Sequence, residues 1–312
     1  MAGGGGPGAY RMNAQSLSGS RSIRALIVGL PLGWLLLFAF LPCLIVLAIS
    51  LVEARIGTPP YMPLFSKGPG LLPQINATAE NYQRLVLDPL YLEALLSSIR
   101  IAALSSLLTL LLAYPMAYAI ARAKESTRSV LLMLVILPFW TSFLIRVYAW
   151  TGLLNSNGLI NTALVKLGII AEPLPLLHTE FAVHLGIVYS YLPFMVLPIY
   201  AVLEQLDWTL LEAAEDLGAS PFKAFWRVTL PLSLPGIVAG LLLVFIPAVG
   251  EFIIPDLLGG PDTLMIGHLL WTEFFNNHDW PMASALAIAL LVLVLIPAMI
   301  VYHLRRRVEA TP

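Results

Sequence analysis

Charge is what this sequence has least of. Of its 312 residues, 11% are Asp, Glu, Lys or Arg, where a soluble domain carries about 25%. Hydrophobic residues make up 59% and the mean hydropathy is +0.85, so an ordinary water-soluble core is excluded. The formal net charge is −1, and no basic patch interleaved with aromatics occurs, which removes nucleic acid as a partner. Cys43 is the single cysteine. It cannot close an intramolecular disulfide and, inside an apolar run, reads as a buried inert thiol; cysteine usage therefore does not reveal the compartment. Signatures of nucleotide binding and catalysis are missing too. GASPFKA holds a glycine and a lysine but not the second glycine of a G-x-x-x-x-G-K-[ST] phosphate loop. Neither H-E-x-x-H nor G-x-S-x-G occurs, and the five histidines are scattered without metal-ligand spacing. Catalytic residues, a metal site and a cofactor of its own are thus not expected of this chain.

Apolar length is what the sequence has. A spanning helix needs about 20 mostly apolar residues. Six stretches qualify, at about 25–52, 92–121, 129–152, 182–203, 233–256 and 282–303. The first is uncharged from Ala25 to Val52, too long for the apolar region of about 7–15 residues in a signal peptide, so it reads as a retained membrane helix. Residues 1–24 are rich in Gly and Ser and read as a disordered tail, with Met12 as an alternative start. Pro115, Pro138, Pro193, Pro198, Pro247 and Pro297 fall inside the apolar stretches, where they predict kinks.

Lys and Arg in the loops set orientation. Eleven lie on one side: Arg11, Arg21 and Arg24, then Arg122, Lys124 and Arg128, then Lys223 and Arg227, then Arg305, Arg306 and Arg307. Four lie on the other: Arg55, Lys67, Arg84 and Lys166. Both termini are therefore expected in the cytoplasm. The expected fold class is an all-α polytopic membrane protein, with a membrane domain at 25–305 and a short cytoplasmic tail at 306–312.

That topology places the loop 207–232, within DWTLLEAAEDLGASPFKAFWRVTLPLSLPG, on the cytoplasmic side. Thr209 and Glu212 have capping-box spacing. Gly218 is placed to end the first helix in the left-handed conformation. Ser220 and Pro221 read as the cap and first residue of a second helix, which Pro231 and Pro235 are expected to break. Leu210, Leu211, Ala214, Leu217, Phe222, Phe225 and Trp226 form an apolar face. It suits either the bilayer surface or a groove on a cytoplasmic partner, and the small residues Ala213, Ala214, Gly218 and Ala219 permit close docking.

EAA at 212–214, then Gly218, then Leu230–Pro231 resembles the EAA loop of ABC importer permeases. LPFWTSFLIRVYAW (137–150), YLPFMVLPIYAVL (191–203), FIPAVGEFIIPDLLGGPDTLMIG (245–267) and EFFNNHDWPMASA (273–285) extend the likeness to polyamine permeases of the PotH type, over nearly the whole chain after about residue 25. The resemblance implies a type I ABC importer permease with six transmembrane helices in a bacterial inner membrane. It implies a second permease subunit, two ATP-binding subunits that hold ATP and Mg, and a periplasmic binding protein that meets the outer loops at 53–91 and 153–181, including Asn155 to Gly158. By the same likeness Glu212, Ala213, Ala214, Asp216, Gly218 and Pro221 belong to a coupling helix that docks on the ATPase. The substrate it implies is a polyamine, putrescine first, with spermidine as the alternative.

A charge at membrane depth is a functional candidate. Glu251 lies between Pro247 and Pro255, followed by Asp256, Asp262, Glu273 and Asp279, with no Lys or Arg from 251 to 279. Such an acidic funnel would concentrate a cation. Trp140, Tyr148 and Tyr191 are the aromatics expected to hold one over a ring face, and with Glu251 and Asp256 they are the expected substrate path. Arg146 reads as a snorkelling or paired residue, and Arg100 as a partner for an intramembrane acid. A self-powered secondary transporter is the rival, but residues 25–152 and 182–303 show no convincing internal repeat.

Overall fold

A bilayer offers no hydrogen-bond partner to bare backbone, so apolar runs of this length must close their amides within helices. In a computed structural model, residues 27–67, 73–261 and 263–309 are described. The expected tail at 1–24 lies outside them, as does Asp262. Helix α1 spans Ile27–Ser50 and carries a π turn at Leu36–Phe40. A short antiparallel hairpin, β1 (Phe65–Lys67) and β2 (Pro73–Ile75), follows it, a small departure from the all-α expectation. Next come α2 (Glu80–Leu87), α3 (Pro89–Arg122), α4 (Glu125–Ile136), α5 (Phe143–Leu154), α6 (Leu159–Lys166) and α7 (Glu180–Glu204). The short helix α8 (Thr209–Asp216) leads into α9 (Pro221–Val249). Then α10 (Ile253–Leu258), α11 (Ile266–Trp271) and α12 (Trp280–Glu309) complete the chain.

The central bundle is α3, α7 and α9, which pack on one another. Small residues let them approach, as membrane helices require where no hydrophobic drive exists between them. Ala102, Ala113 and Ala117 of α3 are fully buried. A Cβ added at Gly236 of α9 would meet the Pro198 carbonyl oxygen of α7 at 2.7 Å, and one at Gly240 would meet Met195 Sδ at 2.7 Å. Two apolar clusters result. One contains Ile101, Val183, Ile254, Leu258 and Leu286; the other contains Ala113, Met195, Ile199, Leu203 and Val244. Helix α1 stands apart, packing on α12 with its side chains largely exposed. Cys43 on α1 is exposed, not buried as expected. The apolar run that carries it faces outward, because no neighbouring helix covers that side. Asn81 fastens the end of α1 to α2 by donating to the carbonyls of Ser50 at 3.0 Å and Val52 at 2.9 Å.

Two spans differ from the hydropathy reading. The stretch 129–152 is not one helix. A 3-10 turn at Leu137–Trp140 separates α4 from α5, and the two arms are bent by 89°. Pro138 has no N–H to continue the ladder, and Thr141 and Ser142 are extended. The Pro138 carbonyl accepts from the Thr141 backbone N–H at 3.3 Å and gains two side-chain donors, Thr141 Oγ1 at 2.8 Å and Arg146 Nη1 at 2.9 Å. The stretch 233–256 ends early, after Val249, and a new helix starts at Ile253. Pro231 and Pro235 do not break the helix before it. A π turn at Phe225–Thr229, with Leu230 N–H reaching the Phe225 carbonyl, lets α9 run continuously past both. The wider turn tolerates the N–H that Pro231 lacks. At the other end, α12 continues as helix to Glu309, through residues where a tail was expected.

Gly236→Ala should force α7 and α9 apart against rigid backbone and cost about 1–3 kcal/mol. Gly29→Ala on α1, with nothing within 4 Å of an added Cβ, is the control. Thermal unfolding in detergent should show a lower midpoint for Gly236→Ala only. Equal midpoints would mean that this close contact does not limit stability.

Candidate functional site

The break between α9 and α10 exposes the N–H groups of a helix start. Glu251 sits in that break and is 7% exposed. Its Oε1 accepts from the backbone N–H groups of Phe252 at 3.2 Å, Ile253 at 3.1 Å and Ile254 at 3.4 Å. The carboxylate therefore caps α10 from the residue before its N-cap, where the helix dipole favours negative charge. Its Oε2 accepts from Tyr191 Oη of α7 at 2.5 Å. One side chain thus closes a helix end and ties it to the central bundle.

Glu251 and Tyr191 line a cavity of about 320 Å³ between the broken span, α7 and the α9–α10 break. Phe139, Phe143, Phe194 and Phe252 supply aromatic wall. Phe139 meets Phe194 edge-on at 5.1 Å. Arg146 also lines the cavity, with its guanidinium carbon 5.0 Å from the Phe139 ring centre and 5.8 Å from that of Phe143. It is neither snorkelling nor paired with an acid among the described residues; the Pro138 carbonyl and these rings hold it. Ser190 lines the cavity as well, 3% exposed. Sequence reasoning missed Ser190 and the four phenylalanines. Position beside Tyr191 was the only signal for Ser190, and nothing in an apolar span marks one Phe as cavity wall.

The other expected path residues lie elsewhere. Trp140 is 74% exposed and Tyr148 54% exposed, and neither lines the cavity, although Trp140 adjoins Phe139. Asp256 is on α10 and pairs with His268 of α11, Oδ1 to Nε2 at 3.2 Å. Glu273 is buried and accepts from Tyr91 Oη at 3.0 Å and Asn277 Nδ2 at 2.9 Å. Asp279 meets Arg84 at 3.4 Å and receives the Met282 N–H at 2.9 Å, capping α12. The described acids of the expected funnel each have a protein partner, so they do not form one open anionic surface. Arg100 does pair with an acid, Glu180, at 3.0 Å. Glu180 also meets His184 Nε2 at 3.3 Å, and His184 Nδ1 lies 2.8 Å from Ser105 Oγ.

In the loop expected on the cytoplasmic side, α8 buries none of its residues. The capping box does not form. Asp207 takes its place, with Oδ1 accepting from Thr209 N at 3.0 Å and Thr209 Oγ1 at 2.8 Å. These two bonds, the side-chain one first, lower the Asp207 pKa below its ordinary value. An aspartate two residues earlier satisfies the helix start, leaving Glu212 free and exposed. Ala213 and Asp216 are exposed beside it, and Ala214 is half-buried. Gly218 adopts φ +85°, as expected for the turn. Ser220 Oγ accepts from Lys223 N at 3.4 Å with Pro221 at the first helical position. Leu217 is 90% and Phe222 73% exposed, so the hairpin presents apolar side chains and small residues outward. Its root is fixed to α3: Trp208 meets the Tyr118 ring edge-on at 5.8 Å, and Arg122 stacks on Trp208 at 5.1 Å.

A helical membrane bundle with broken helices around an aromatic-walled cavity that holds a few polar groups, and an exposed helical hairpin at one end, has the architecture of a transport permease. Residues 109–310 match the family described as the binding-protein-dependent transport system inner membrane component, and the chain belongs to that family, the permease subunits of ABC transporters. It is 40% identical over 294 residues to the spermidine/putrescine transport system permease PotB of Haemophilus influenzae, covering 93% of this chain and 98% of the relative. It is 42% identical to PotB of Escherichia coli K12, covering 84% and 90%. The narrower likeness to the PotH type is not what these relatives carry. Among solved structures, a bacterial ABC transporter for the import of alginate aligns over 96% of this chain and 99% of its own with a TM-score of 0.67 and 18% identity. That likeness bears on fold, and it is the type I importer permease fold.

Glu251→Gln keeps an oxygen for the α10 amides and removes the charge. The complex should still assemble, judged by size-exclusion chromatography, while transport drops at least about tenfold, the effect of losing one charged hydrogen bond. Failed assembly would make Glu251 a structural cap alone.

Proposed function

We propose that this chain is the permease subunit of an ATP-driven importer of polyamines, taking putrescine, spermidine or both. The observation that carries the substrate class is the chain-long likeness to spermidine/putrescine permeases. The cavity chemistry supports it: a buried carboxylate at membrane depth, a phenol and aromatic walls are groups that receive an ammonium and its methylenes. Glu251 and Tyr191 are the substrate-path residues the geometry favours. Asp256, Trp140 and Tyr148, which do not line the cavity, act on the approach to it or at a subunit contact.

The energy comes from elsewhere. ATP and Mg are held by two partner ATPase subunits, which dock on Glu212, Ala213, Ala214, Asp216, Gly218 and Pro221. The exposed hairpin supports this, because an apolar surface of small side chains at one end of the bundle suits a groove. A second permease completes the path, and a periplasmic binding protein delivers the amine to the outer loops. A second cavity, about 690 Å³, lies between Arg55–Pro60 and Asn277–Trp280, on the face where that protein would sit. Both termini lie in the cytoplasm, by the bias of Lys and Arg. Alternation between two discrete arrangements moves the substrate.

Gly218→Trp places a side chain where φ is +85°, and Glu212→Lys reverses an exposed charge on the docking face. Both should leave the membrane domain folded and uncouple ATP hydrolysis from transport. Unchanged transport in both would remove the coupling role. ATPase activity of the assembled complex in proteoliposomes tests the whole reading. The binding protein is added empty, loaded with putrescine, or loaded with spermidine. Stimulation by a loaded form names the substrate, and no stimulation by either amine sends the substrate class back to open ground.

A further inference from the structure

The cavity beside Glu251 contains an opposite charge that its proposed role does not require. Arg146 and Glu251 both line it, and no ion pair joins them among the described residues. Two polar atoms in residues of its lining are buried without a hydrogen-bond partner among the described residues: Arg146 Nε and Ser190 Oγ. Leaving a buried donor unsatisfied costs about 1–3 kcal/mol, more for a charged group. Ser190 is 97% buried by its 3% exposure, and its neighbour Tyr191 already bonds Glu251. On Glu251, three backbone donors share the two lone pairs of Oε1, whereas Oε2 carries one phenol donor against its two lone pairs. Oε2 therefore keeps one acceptor site for a ligand.

We infer that the cavity is a charge-compensated transit site for one ammonium group of a linear aliphatic amine, in which Glu251 and Ser190 receive the ammonium and Arg146 keeps its affinity low. This rests on the proposed reading of the chain as an amine permease. The methylene stem lies against Phe139, Phe143 and Phe194. The second ammonium stays outside the cavity, because the fixed guanidinium repels it. A pathway site must bind well enough to admit its cargo and weakly enough to release it. A lone buried carboxylate walled by aromatics would hold a polyamine too firmly. The guanidinium, held in place by the Pro138 carbonyl and two rings, opposes that attraction without closing onto Glu251. Arg146 is thus a positioning residue for release, not a group that merely props up the bend.

The test uses the assembled permease–ATPase complex in nanodiscs and proteoliposomes. Equilibrium dialysis with radiolabelled putrescine and spermidine, without binding protein, reads affinity. Uptake with saturating loaded binding protein reads turnover. Arg146→Gln should tighten amine binding by about tenfold or more, the loss of one like charge at close range, and should slow turnover. Arg146→Lys, which keeps the charge, should stay near wild type in affinity. Ser190→Ala removes a hydroxyl that has no partner among the described residues, so folding is spared, and amine binding should weaken several-fold. Unchanged or weaker binding in Arg146→Gln, or unchanged binding in Ser190→Ala, overturns the inference. If Arg146→Gln fails to assemble, the Ser190→Ala result decides alone. A wild-type complex that takes up neither amine fails the polyamine reading itself, whereas uptake by wild type with indistinguishable variants fails only the transit site.

Discussion

Backbone amides cannot be left bare in hydrocarbon, and the α9–α10 break meets that constraint with one carboxylate. Glu251 supplies an acceptor to three successive N–H groups and, through its other oxygen, a bond to Tyr191. Without it, α10 would start uncapped inside the bundle, and Ile254 and Leu258, both fully buried, would lose the frame that presses them onto α7. The close fit of Gly186 against Ile254 and Leu258, at 2.8 Å from an added Cβ to each, depends on that placement. The same charge that completes the helix end then faces a cavity. A structural need and the proposed transport role converge on one side chain, and the oxygen facing Tyr191 has a lone pair left for a ligand.

The second break follows the same logic with a different donor set. At the α4–α5 bend a carbonyl is freed rather than an amide, and Thr141 and Arg146 supply the missing protons. Arg146 is held at the cavity because Pro138 interrupts the helix eight residues before it. The two breaks therefore bring opposite charges to one cavity, each fixed by the backbone groups it satisfies. Irregular backbone inside a membrane protein is tolerated where it lines a cavity, and here the irregularity decides where the charges sit.

Much of the fold was legible because hydropathy and length have one cause, the thickness of the bilayer. The runs that became α1, α3, α7, α9 and α12 stand out by apolar length alone. Where they end was harder to read. Glu251 looked like a residue inside a span, but the helix stops at Val249, since Gly250 and a capping carboxylate together make a stop that hydropathy does not register. Pro231 looked like a breaker and is absorbed by a π turn, a tertiary adjustment with no sequence signature. Thr209 and Glu212 had the spacing of a capping box, yet Asp207 won the helix start because an aspartate two residues earlier can serve both the Thr209 N–H and its hydroxyl. Gly218 was read correctly because a left-handed turn has a single low-cost residue type.

The site was less legible than the fold, for a reason that concerns acids. Counting carboxylates from Glu251 to Asp279 suggested a funnel, because one-dimensional counting sees charges and not their partners. In three dimensions Asp256 faces His268, Glu273 faces Tyr91 and Asn277, and Asp279 faces Arg84. Those groups stabilise the turns around α11 and the start of α12. Glu251 differs in that its phenol partner and the unpartnered Ser190 hydroxyl share an aromatic-walled cavity with it. A charge marks a transport path when its surroundings leave it something to bind, and among the described acids of this stretch the Glu251 cavity combines a free acceptor with apolar walls.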